Sequence, residues 1–173
     1  MCRFIFPLLV LLACPLATAQ ATNPELKLSV TLRSMRTTYR VTEDIQLEVQ
    51  LTNTGHRSFL LRRQLGWGYG RTDIRVFDSK GKEVFTTVLA DELPPPPVEE
   101  DFLKLDPHQF FGVQLQEPIR NFVNAPGTYE SEVDYTSHLS EDWAQDHMKL
   151  PMPFWSRERG TIESDHVTIV VTP

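Results

Sequence analysis

His138, Glu141, Asp142, Asp146 and His147 crowd one short stretch of this chain. Carboxylates and imidazoles are zinc ligands, but their spacing here fits no zinc signature and no helix face carries a His pair at i and i+4. The stretch reads as a solvated acidic loop, and no metal or cofactor is expected. Glu99, Glu100 and Asp101 form a second acidic group. Glycoside hydrolysis needs two carboxyl groups held roughly 5–10 Å apart across a cleft. These three are consecutive and follow Pro94–Pro97, so they read as an exposed charge run. Serines occur without a Gly-x-Ser-x-Gly elbow. Asp78-x-Lys80-Gly81 lacks the repeated oxygen ligands of a calcium loop. Gly66, Gly68 and Gly70 alternate with aromatic residues and open no helix, which argues against a phosphate cradle. No catalytic residue is assigned, and the expectation is a protein that is not an enzyme.

Aromatic residues offer a different chemistry. Trp67 and Tyr69 lie among those glycines, and Trp143, Phe154 and Trp155 lie in a long connection, 138–160. Rigid rings on loops carried by a sheet scaffold are common material for binding sites. These five residues are the candidate contact surface for a protein or glycan partner. The competing reading has the same rings folding the connection back over the sheet.

The elements that must position them are strands. Leu26, Leu28, Val30 and Leu32 alternate with polar residues, as do Ile45, Leu47, Val49 and Leu51. Period two places one face in a core and one in water. The second run stops at Asn53-Thr54-Gly55, where Asn and Gly tolerate positive φ. Ser58–Arg63 is a further apolar stretch. Asp73–Phe77 and Lys82–Phe85 flank Asp78-Ser79-Lys80-Gly81, a hairpin turn. Pro94–Pro97 supply no amide hydrogens and predict an extended connector. Phe110–Leu115, Tyr129–Tyr135 and Thr161–Thr172 complete the strands. Within 138–160, Ser140 is placed to cap a short helix over 141–148, with Glu141 and Asp142 in its first turn and Pro151 and Pro153 beyond its end. The pattern predicts an all-β, antiparallel immunoglobulin/fibronectin-III-like sandwich of seven to eight strands, with one long insertion before the last strand.

Gly127-Thr128-Tyr129 resembles the start of the penultimate strand in immunoglobulin-like domains, where the tyrosine hydroxyl ties back to the backbone. Ser131 stands where antibody domains place the second cysteine. Ile45-x-Leu47-x-Val49-x-Leu51-Thr52-Asn53-Thr54-Gly55, Ile74-Arg75-Val76-Phe77-Asp78-Ser79-Lys80-Gly81-Lys82-Glu83-Val84 and Pro126-Gly127-Thr128-Tyr129 together resemble the bacterial intracellular proteinase inhibitor family. That likeness implies a sandwich fold and makes proteinase inhibition an alternative function. A carbohydrate-binding module is a second alternative, drawn from the aromatics.

Residues 1–19 read as a secretory signal peptide: Arg3, an apolar run from Phe4 to Leu12, then Ala17-Thr18-Ala19. The run is shorter than the roughly 20 residues of a membrane span. Cys2 and Cys14, the only cysteines, both fall in this leader, so cleavage after Ala19 leaves a thiol-free domain of residues 20–173. Leu11-Leu12-Ala13-Cys14 resembles a lipoprotein box, which makes a lipid anchor at Cys14 the alternative processing. A net charge of −6 supplies no footprint for phosphate backbones, so nucleic acid is not an expected partner. The expectation is an exported monomer or weak oligomer, periplasmic or extracellular, that binds an envelope or extracellular protein.

Overall fold

The structure, a computed structural model, describes residues 26–65, 72–86 and 96–173. Cys14, Trp67, Tyr69 and the proposed leader lie outside these residues. Strands β1 (Leu28–Ser34), β3 (Asp44–Asn53) and β8 (Phe110–Pro118) form one antiparallel sheet in the order β1-β3-β8. The facing sheet contains β2 (Thr38–Arg40), β11 (Val167–Thr172), β9 (Gly127–Thr136), β5 (Thr72–Asp78) and β6 (Glu83–Thr86), in the order β2-β11-β9-β5-β6. A short β10 (Thr161–Glu163) also pairs with β9. All these pairings are antiparallel except β2 with β11, which is parallel. This is the immunoglobulin-type partition, in which strands A, B and E form one sheet and G, F, C and C′ the other. The chain is therefore an all-β sandwich. Among the described residues no helix is long and apolar enough to cross a membrane.

The alternating sequences explain the layers. In β3 the side chains of Ile45, Leu47, Val49 and Leu51 are buried, while Asp44, Gln46, Glu48 and Gln50 are exposed or half-exposed. Ile74 and Val76 of β5, Val133 and Tyr135 of β9, and Ile169 and Val171 of β11 meet them from the other sheet. Tyr39, 1% exposed, sits in the same core, and its hydroxyl donates to Gln46 O (3.2 Å). Tyr129 makes the expected corner: its hydroxyl donates to Ala125 O at 2.8 Å. Ser131, fully buried, donates to Arg75 O at 3.2 Å. The 78–81 turn forms as read: Asp78 Oδ1 accepts from the N–H groups of Lys80 and Lys82, and Gly81 takes φ 74°.

Three readings change. The described residues form eleven strands, because β2, β7 (Phe102–Leu105) and β10 are short and lack a usable period. The stretch Thr161–Thr172 divides into β10 and β11. Asn53 and Gly55 do not take positive φ. Asn53 is instead a buried hydrogen-bonding centre. Its Nδ2 donates to Arg57 O (2.8 Å) and Leu105 O (2.9 Å), and its Oδ1 accepts from the Gly55 N–H (2.9 Å). It thereby ties the end of β3 to a small separate sheet of β4 (Phe59–Arg62) and β7.

Candidate functional site: a cleft on the insertion

Ser140 caps helix α1 (Glu141–His147), its Oγ accepting from the Trp143 N–H at 3.2 Å. Glu141 and Asp142 lie in the first turn, where the helix dipole favours negative charge. Beyond α1 the chain turns back and runs beside β4. Leu60 N–H donates to Pro153 O and Trp155 N–H to Leu60 O, both at 2.9 Å. The insertion is thus stitched to the small sheet by backbone bonds. It carries its own apolar cluster: Leu60, Phe102, Ala144 and Phe154 are buried, with Leu139, Trp143, Met148, Leu150 and Met152 packed around them.

Between α1 and the returning chain lies a cleft of about 250 Å³, walled by Ala144, Met148, Leu150, Met152 and Phe154. Glu141, Gln145 and Arg159 also line it. Glu141 Oε1 accepts from Ser156 Oγ (3.1 Å) and stands 3.5 Å from an Arg159 amino nitrogen. Drug-sized ligands fill pockets of roughly 300–1,000 Å³. This cleft suits one or two apolar side chains. Unbranched thioethers such as Met148 and Met152 adapt readily to what they meet.

The structure separates the aromatic candidates. Trp155 is 6% exposed and packs on Phe59 (ring centroids 5.9 Å), with the Arg159 guanidinium 5.9 Å from its ring centre. Its indole N–H is buried with no acceptor among the described residues. Phe154, 7% exposed, meets Phe102 edge to face at 6.0 Å. These two rings pack inward and hold the insertion to the sheet, with Phe154 also forming part of the cleft wall. Trp143 is half-buried and stacks on His147 (4.5 Å, planes 6° apart).

The acidic candidates also find local roles. His147 Nδ1 lies 2.8 Å from Trp143 O, Glu99 accepts from the Lys149 N–H (3.1 Å), and Asp101 accepts from the Val98 N–H (3.1 Å). Among the described residues no three His, Cys, Asp or Glu side chains are grouped to hold a metal ion.

Sequence reasoning missed a charged network on the outer face of the larger sheet. Arg75 reaches Glu83 and Glu132, each at 2.9 Å, and Asp134 at 3.8 Å. The Glu83 hydrogen bond leads in holding its guanidinium above its ordinary pKa. His166 contacts Glu130 and Glu132. No motif marks this network, because it is assembled by strand register.

No family model matches the chain, and no curated relative does, so the resemblance to intracellular proteinase inhibitors rests on strand pattern alone. Solved structures show distant likeness. A CARDB domain from Pyrococcus furiosus is 11% identical over 85% of this chain and 89% of that one, with a TM-score of 0.40. The sporulation control protein Spo0M from Bacillus subtilis is 11% identical over 84% of this chain and 49% of its own, with a TM-score of 0.43. A β-glucosidase from Listeria innocua is 12% identical; the match covers 86% of this chain and 16% of the enzyme, with a TM-score of 0.42. Likenesses this distant carry no argument about function, and the fold rests on the strand pairing described above.

Proposed function

We propose that this chain is an exported, non-catalytic binding module whose insertion cleft takes an apolar side chain of an envelope or extracellular protein. The cleft itself is the observation that carries the reading: an adaptable apolar hollow with Met148, Leu150 and Met152 in its wall and charged Glu141 and Arg159 beside it. Trp143, half-buried on the same helix, extends the contact surface. Export rests on the leader at 1–19, with cleavage after Ala19 favoured and lipidation at Cys14 as the alternative. Intact mass of the processed chain distinguishes the two.

The binding test compares the wild type with Met152→Lys, which places a charge in the cleft. Crosslinking from Gln145, exposed on the cleft wall, is carried out in the native envelope. The expected result is a discrete adduct with the wild type, lost in Met152→Lys at unchanged circular dichroism and melting temperature. An adduct of equal yield in both proteins removes the cleft from the reading.

A further inference from the structure

Glu163 of β10 faces Asp134, and Val167 of β11 faces Ser131, both on β9. Four steps along one chain therefore match three along the other, which is a bulge of one residue. Ser164 anchors it. Its N–H donates to Val133 O (3.0 Å), and its Oγ accepts from the Val133 N–H (3.0 Å) and donates to Asp165 O (2.9 Å).

The extra residue decides where His166 goes. Ile162 packs on the core, so strict alternation would turn His166 inward as well. After the bulge it is Val167 and Ile169 that face the core, and His166 emerges on the outer face. There it stacks on Phe77 of β5 (5.7 Å, planes 1° apart). Its Nδ1 lies 2.9 Å from Glu130 Oε2, and its Nε2 lies 2.7 Å from Glu132 Oε2.

A neutral imidazole has one N–H and one lone pair, and only the imidazolium donates from both nitrogens. Two carboxylate oxygens at hydrogen-bond distance from opposite sides of the ring therefore select the charged form. The charges around it agree. From β9 come Glu130, Glu132 and Asp134. From β5 comes Arg75, which is shared among Glu132, Glu83 of β6 and Asp134. Asp165 adjoins on the same segment.

We propose that His166 is a pH-operated clasp: as imidazolium it fastens the β10–β11 bulge, and with it the return leg of the insertion, to β9, and it lets go on losing its proton. The hydrogen bond to Glu130 and the charge of Glu132 outweigh desolvation and hold the imidazole above its usual pKa. A group raised on folding contributes stability that is complete below its unfolded value, about 6.5 for histidine, and is lost as pH rises through the folded value.

The test is an NMR titration of the full chain, following the His166 ring and the amides of 163–167. The ring should titrate above the free-histidine value, and those amides should move and exchange faster at the same midpoint. Glu130→Gln, an exposed and structurally mild change, should shift the midpoint downward. His166→Gln, which has no proton to lose in this range, should abolish the pH dependence of the amides. A ring midpoint at or below the free value overturns the proposal, and so do bulge amides indifferent to that titration.

Discussion

Asp134 stands in a row of like charges that crosses three strands, with Asp73 of β5 on one side and Glu163 of β10 on the other. Its Oδ1 is buried with no donor among the described residues, and Arg75 lies 3.8 Å from its other oxygen. Desolvation raises its pKa; Arg75 opposes this, while Glu132, Glu163 and Asp73 add to it. A carboxyl raised on folding takes up its proton more readily in the native state, so its charge costs stability at neutral pH and that cost fades as pH falls through the raised value. Asp134→Asn is therefore expected to melt at higher temperature than the wild type at pH 7, with the gain shrinking in acid; a lower melting temperature at pH 7 would contradict this. Asn53 illustrates the opposite case. A turn-type residue by sequence, it is fully satisfied inside the protein, where an amide that meets three backbone partners is stabilising.

Strand β8 shows how register sorts residues within an element. The bonds from Asn53 N–H to Gln109 O and from Ile119 N–H to Glu43 O bracket its ladder with β3. Antiparallel bonding alternates, so Phe111, Val113, Leu115 and Glu117 direct their backbone groups at β3, while Phe110, Gly112, Gln114 and Gln116 direct theirs away. Gly112 is tightly held: an added Cβ would lie 2.7 Å from Val49 O. Urea unfolding should find Gly112→Ala destabilised by about 1–3 kcal/mol, the usual cost of overpacking. Gln114→Pro, which removes an N–H that β3 does not use, should cost less than Val113→Pro, which removes one that it does. Strands with strict alternation, such as β3 and β9, were legible in the sequence. β4 was seen only as an apolar stretch, because Phe59, Leu60, Leu61 and Arg62 are all buried between two apolar clusters and no period remains to be read. The helix cap at Ser140 was legible because capping is local chemistry. The inward turn of Phe154 and Trp155 was not, since a ring in a loop looks the same in sequence whichever way it faces.

At the scale of the molecule the described residues form two apolar clusters joined through β4, where Phe59 belongs to the sandwich and Leu60 to the insertion. The returning chain repeats this division, with Trp155 in the first and Phe154 in the second. Phe154→Ala should lose roughly 3–5 kcal/mol of packing, and the loss should be local. Hydrogen exchange is expected to quicken in α1 and at 150–155 while β3, β9 and β11 keep their protection; equal loss throughout would mean that the two clusters unfold as one. The bulge between β10 and β11 has a consequence for descent with modification. Removing a single residue between Glu163 and Val167 would set three steps against three, so that β10 and β11 could pair with β9 as one regular strand, each residue keeping its face. In a comparison of related chains, a gap of one residue at this place is therefore the straightened form of the same strand, and it is the extra residue, not the gap, that calls for the anchoring Ser164.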